Sequence, residues 1–126
     1  MRFTVLAADS LESDVYHCEL SWNGHVMMAA VVGKLDMEAT EICGEVTIDE
    51  VMSCREAGAD QAEGFTPGPG FHVVCGTIGT VYDWGSCDLL FGDERVMLDA
   101  EEVPGLEPVT GTRISIGFKD LVVTLD

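Results

Sequence analysis

Three histidines, five cysteines and twenty-three carboxylates are the side chains of this 126-residue sequence that could do chemistry. His17 adjoins Cys18, and His72 stands three residues before Cys75. Imidazole and thiolate together are the donors of zinc and related sites. On a strand, however, neighbours and residues three apart point to opposite faces, so neither pair can close on one ion without a bulge. The cysteines, Cys18, Cys43, Cys54, Cys75 and Cys87, are odd in number and form no C-x-x-C or zinc-ribbon spacing. They read as free thiols packed as small hydrophobes in a reducing, cytoplasmic setting, with no disulfide, no metal and no cofactor.

Other chemistries find less support. Asp83, Ser86 and Asp88 bring oxygens into one short stretch, but the glycine placement and terminal glutamate of a calcium-binding loop are missing. No G-x-S-x-G and no phosphate-binding glycine loop is present, and cysteine, histidine and aspartate combine in no recognised local context. Paired carboxylates could do acid–base work, yet twenty-three candidates single out no pair. Catalysis is therefore not the expected role. Were there one, His17 beside Glu19, or His72 after the glycine-rich segment, would be its starting point.

Charge narrows the partners. Six Lys and Arg against twenty-three Asp and Glu leave a formal net charge of -17. Arg2, Lys34, Arg55, Arg95, Arg113 and Lys119 are scattered, so the basic patch that nucleic-acid phosphates or an anionic membrane would need is absent. A basic protein is the partner this balance favours, although excess carboxylate also serves simply to keep a small domain soluble. Sixteen of the acids fall into two stretches, Glu38 to Glu63 and Asp83 to Glu107, each diluted by one arginine. Hot spots also need apolar anchors. Phe65 and Trp84 stand beside glycines in expected loops, whereas Phe71 and Phe91 read as core. The expected contact surface is therefore Phe65 and Trp84 with Asp99, Glu101, Glu102 and Glu107. The function that follows is an acidic protein-interaction module, an inhibitor or immunity-type partner of a basic protein being one form. A barrel enclosing a small ligand and a small enzyme or accessory subunit are the alternatives.

The elements that must position these groups read as strands. At 126 residues and 47% hydrophobic content, the chain has room for one folded domain spanning 1–126. The opening MRFTVLAADS is too short and too weakly apolar for a signal peptide, and no window is long enough to span a bilayer as a helix. Arg2 to Ala8 is a strand, and the polar run Asp9 to Asp14 turns it back. Asn23-Gly24 between Val15–Trp22 and His25–Val32 predicts a two-residue hairpin in which Trp22 faces His25, Leu20 faces Met27, Cys18 faces Ala29 and Tyr16 faces Val31. Cys18, Leu20 and Met27 then point into the core. Residues 26–32 are apolar on both faces, which predicts a central strand covered on both sides.

Beyond the hairpin, residues 34–41 form a helical turn or loop, and Ile42 to Ile48 alternate until the phase changes near Asp49-Glu50. Ala57 to Gly70 reads as a long surface loop, and Phe71 to Tyr82 as a strand coiled at Gly76 and Gly79. Cys87–Phe91 and Glu94–Asp99 form a hairpin. Ala100 to Gly111 is a connection, and Thr112 to Leu125 is a last strand that slips at Lys119-Asp120. The predicted fold is all-β, a single small antiparallel barrel or sandwich of seven or eight strands.

Overall fold

A computed structural model describes residues 1–99 and 101–126. Nine strands follow one another among them: β1 (Arg2–Glu12), β2 (Val15–Trp22), β3 (His25–Val32), β4 (Glu41–Glu56), β5 (Gly64–Pro67), β6 (His72–Val81), β7 (Ser86–Phe91), β8 (Glu94–Asp99) and β9 (Arg113–Leu125). Among the described residues no helix is long and apolar enough to cross a membrane. The all-β expectation holds, with one strand more than expected because β5 lies inside the segment 57–70 read as a loop.

The strands form one mostly antiparallel sheet in the order β1-β2-β3-β9-β4-β8-β7-β6-β5, with further pairings β1–β4 and β6–β9. It is not a true barrel, and its sandwich-like fold-over has a traceable cause: the two longest strands change partners along their length. One edge of β4 pairs with β1 at Glu41–Cys43 and then, in parallel, with β8 at Val46 and Thr47, while its other edge follows β9. The free edge of β9 pairs with β6 over Arg113–Phe118 and, in parallel, with β3 over Leu121–Thr124. The β9 phase change falls where its partners exchange, between Phe118 and Leu121, and the β4 phase change lies across the ladder from it, beyond the last β8 pair at Thr47. Glu50 adopts φ 51°, the β4–β9 register shifts between Val51 and Ser53, and the buried parity of β9 switches across Lys119-Asp120.

The Asn-Gly hairpin has the predicted register from Val15↔Val32 to Trp22↔His25, with Asn23 at φ 47° and Gly24 at φ 81°. Cys18, Leu20 and Met27 are buried, while His17 is exposed. β3 is central, paired to β2 and β9. Its outer face corrects the expectation that both sides are covered, since Val26, Met28 and Val32 are 44%, 36% and 37% exposed. A single core of inward residues from every strand holds the fold together, Phe3, Phe118, Leu20, Met27, Ile78 and Leu98 among its largest. The connection after β8 contributes as well: Val103 is 2% exposed and Leu106 packs against the core.

Glycine is needed at two positions near the hairpin for different reasons. Around Gly24 nothing approaches, so only its positive φ resists a side chain. At Gly64, with φ 93°, a Cβ would also collide with the Trp22 ring. Gly24→Val should therefore lower stability by about 1–2 kcal/mol. Gly64→Ala should lose about 1–3 kcal/mol more, from overpacking against the indole. Urea unfolding of both variants checks the order, and equal losses would contradict it.

Candidate functional site

Two places bring chemistry-bearing groups together across long sequence separations. The first is the end of the β7–β8 hairpin where the chain enters and leaves it. Ser86 pairs with Asp99, so the turn before β7 and the turn after β8 lie side by side. The first turn is closed by the Tyr82 amide donating to the Ser86 carbonyl at 2.8 Å and the Gly85 amide donating to the Tyr82 carbonyl at 3.1 Å. It presents Trp84, 71% exposed, stacked on Tyr82 with centroids 4.9 Å apart and planes 9° from parallel. In the second turn the Glu101 amide donates to Asp99 Oδ1 at 3.0 Å, and the Glu102 amide to the Asp99 carbonyl at 3.0 Å. Asp99, Glu101 and Glu102 are all exposed.

At the hydroxyl edge of Tyr82 lies Asp88. It is 5% exposed, its Oδ2 accepts from the Tyr82 hydroxyl at 3.0 Å, and its Oδ1 has no partner. Asp88 stands on the outward parity of β7, opposite to Cys87, Leu89 and Phe91, which line the core. The hydrogen bond to Asp88 is the main reason the Tyr82 phenol is pushed above its ordinary range. The result is a stacked aromatic pair with an acceptor carboxylate at the hydroxyl edge of Tyr82 and, on the adjoining turn, Asp99, Glu101 and Glu102. Such a surface attracts cations through both ring faces and charge.

The second place is where the β2–β3 hairpin meets β6. His25 Nε2 and His72 Nδ1 are 3.0 Å apart, their rings nearly perpendicular at 80°. His72 also tilts against Phe118, 5.8 Å away, and Phe118 belongs to a run of edge-to-face rings with Phe65, Trp22 and Phe91 at centroid distances of 5.5–5.9 Å. Each such pair adds about 0.5–1.5 kcal/mol beyond the area it buries. Burial pushes both imidazoles below the usual histidine range, helped at His25 by its neighbour His72 and opposed at His72 by Asp120. One nitrogen of the pair must donate and the other accept, so the contact needs at least one neutral ring. Local sequence carries no sign of this pair, because its members are 47 residues apart.

The structure divides the residues singled out from sequence. Trp84 is exposed and stands with Asp99, Glu101 and Glu102 as described. Glu107 is exposed but lines a different cleft, with Arg55 and Glu56. Phe65 is a correction: it is 4% exposed and part of the core. Its loop is in fact β5, and pairing opposite Val74 turns the ring inward onto the same buried face. Phe91 is buried as expected, whereas Phe71 is half-buried and lies over Gly117 instead of joining the core.

The cysteines are free; Cys18, Cys75 and Cys87 are buried, and burial pushes these three thiols and Cys54 above the ordinary range. Raised thiols are poor nucleophiles at neutral pH. His17 and Cys18 do face opposite sides of their strand. Among the described residues no group of three His, Cys, Asp or Glu side chains is placed to hold a metal ion.

No protein family, curated protein or solved structure matches this chain.

The histidine pair has a pH consequence of definite sign. Folded-state values below the reference of 6.5 mean that the native protein binds fewer protons than the unfolded chain in that range. The stability contributed by neutral imidazoles is complete above about pH 6.5 and is lost as pH falls through the lower folded values. Carboxylate repulsion changes in the opposite direction on acidification, so the comparison must be with a variant. Between about pH 7.5 and about pH 5 the native protein should lose stability relative to His25→Gln/His72→Gln, as measured by urea unfolding. Parallel pH profiles for the two proteins would contradict the assignment.

Proposed function

We propose that this protein is an acidic interaction module that receives a basic protein partner at the Trp84 end of the β7–β8 hairpin. The observation that carries the reading is the Ser86↔Asp99 register, which sets a 71% exposed tryptophan beside the turn bearing Asp99, Glu101 and Glu102. An exposed aromatic anchor inside a rim of like charge is the arrangement that recognises a cationic surface. No Lys or Arg lies between Arg55 and Arg95, or between Arg95 and Arg113, so Arg95, whose charge reaches Tyr82, is the one cation these stretches set against their acids.

The parallel pairing of β4 with β8 extends the field. Glu45 meets Arg95 at 3.4 Å, one residue before the Val46↔Val96 pair. Two residues beyond the Thr47↔Met97 pair, on that same outward face, come Asp49 and Asp99, both exposed. The two acidic stretches thus adjoin along these strands. Arg95 is the cation at their junction, and the Glu45–Arg95 pair is solvent-exposed and worth little.

Charge also acts on the domain itself. A net charge of -17 is held closer together in the folded state than in the unfolded chain, so added salt should raise stability by screening. Steering of a partner responds in the opposite direction. The partner, obtained by cross-linking and co-purification from the native host, should associate about tenfold or more slowly at about 150 mM than at about 20 mM salt. Asp99→Asn/Glu101→Gln/Glu102→Gln should slow association and flatten that dependence, Trp84→Ala should mainly speed dissociation, and Glu107→Gln should change little. Stopped-flow measurement separates these effects. A rate independent of salt and unchanged in the triple amide variant would reject this surface as the docking site.

A further inference from the structure

At the other end of the same hairpin, about 17 Å along its six-residue strands, lies a cleft that the reading above does not use. It occupies about 370 Å³ between the tips of two tight hairpins, and Trp22, Asn23, Phe91, Glu63, Asp93 and Glu94 line it. Four other clefts on the surface each include a cationic side chain: Arg95 in one, Arg55 in two and Lys119 in the fourth. This one has aromatic rings and three carboxylates and no Lys or Arg in its lining. Glu63 is partly engaged, 3.8 Å from Arg113 Nε, whereas Asp93 and Glu94 form no ion pair among the described residues, although both also line the adjoining cleft that holds Arg95.

The walls are held in place. Both turns have two residues, Asn23-Gly24 and Gly92-Asp93, with φ of 47°, 81° and, at Gly92, 58°. The Trp22 indole lies over Gly64, where a side chain would collide with it, and is braced edge-to-face by Phe65 and Phe91 at 5.5 and 5.6 Å. A braced aromatic wall in the same cleft as Asp93 and Glu94 costs little to organise on binding.

We propose that this cleft receives an arginine side chain of the basic partner, its guanidinium plane against Trp22 and its N–H groups on the carboxylates of Asp93 and Glu94. Charge complementarity selects a cation. The aromatic wall selects arginine over lysine, because guanidinium is planar, weakly hydrated, stacks on rings and forks onto carboxylate oxygens, whereas ammonium is a strongly hydrated point charge. The inference rests on the basic-partner reading. A single extended basic segment lying along β7–β8 would place one cation near Trp84 and an arginine in the cleft.

The test uses the intact protein and three short peptides, Gly-Arg-Gly, Gly-citrulline-Gly and Gly-Lys-Gly, titrated at low salt while the two Trp indole N–H signals are followed by NMR. Citrulline keeps the shape of arginine and removes its charge. Gly-Arg-Gly should shift the Trp22 signal and the Gly92 amide saturably, with an affinity about tenfold above that for citrulline and above that for lysine. Asp93→Asn/Glu94→Gln should reduce it about tenfold. Equal affinity for citrulline or for lysine, a Trp22 response that survives the double amide variant, or tighter binding of free spermidine than of the arginine peptide would overturn the proposal. The two readings fail separately. If no peptide reaches Trp22 while partner association still depends on salt and on Asp99, the cleft assignment falls and the docking surface stands. If the peptide binds as described but association ignores Asp99, Glu101 and Glu102, the docking surface falls instead.

Discussion

The antiparallel ladder between β4 and β9 is the constraint on which the rest of the structure depends. It runs from Gly44↔Leu125 to Glu56↔Ile114, and each strand offers its second edge to two further partners. Close approach is part of this arrangement, since a Cβ on Gly44 would run into the Thr124 carbonyl. The bend at Glu50 and the slip at Lys119-Asp120 sit opposite each other in the ladder, on either side of the Asp49↔Asp120 pair. Without that shared irregularity, Val46 and Ile48 could not face the same core as Val51, nor Ile116 and Phe118 the same core as Leu121 and Val123. A one-residue slip turns an entire buried set toward water, so two matched changes are needed to keep both halves inward.

Core and surface answer to opposite demands. Inward positions are filled by apolar side chains from all nine strands, as a chain of this size needs for independent stability. Almost every carboxylate is left on outward positions and in turns, where self-repulsion is tolerable and a field can reach solvent. Asp88 departs from this division. It is a buried carboxyl group on the outward face, held by one tyrosine hydroxyl, with its second oxygen unpartnered. Buried acceptors without donors are uncommon enough to mark a place where local stability is secondary to something else. Its hydrogen bond to Tyr82, a member of the only stacked pair of rings among the described residues, sets that feature next to the proposed docking surface.

Function, on this reading, is distributed along one hairpin. β7 and β8 carry Leu89, Val96 and Leu98 into the core, and the two surfaces proposed to bind cations lie at their two ends. At one end Trp84 is exposed beside the turn bearing Asp99, Glu101 and Glu102; at the other Trp22 is packed against Phe65 and Phe91 and shares a cleft with Glu63, Asp93 and Glu94. The first arrangement suits encounter and the second suits discrimination, because rate responds to long-range field and specificity to close geometric fit.

Much of the fold was legible in the residues themselves. Asn23-Gly24 dictates its turn and so its register, because both positions require positive φ, and alternation in Ile42–Ile48 and Ile114–Phe118 states which parity is buried. The free cysteines follow from their spacing. These are properties of neighbours in sequence, set by backbone sterics and a period of two. What spacing could not determine is which strand lies beside which. The parallel β3–β9 and β4–β8 pairings, the conversion of the Phe65 loop into a strand that turns its ring inward, the meeting of His25 with His72, and the placing of Trp84 beside Asp99 all arise from contacts between distant segments. Those contacts are chosen by how the whole apolar surface can be buried at once, a condition that no local stretch of the chain contains.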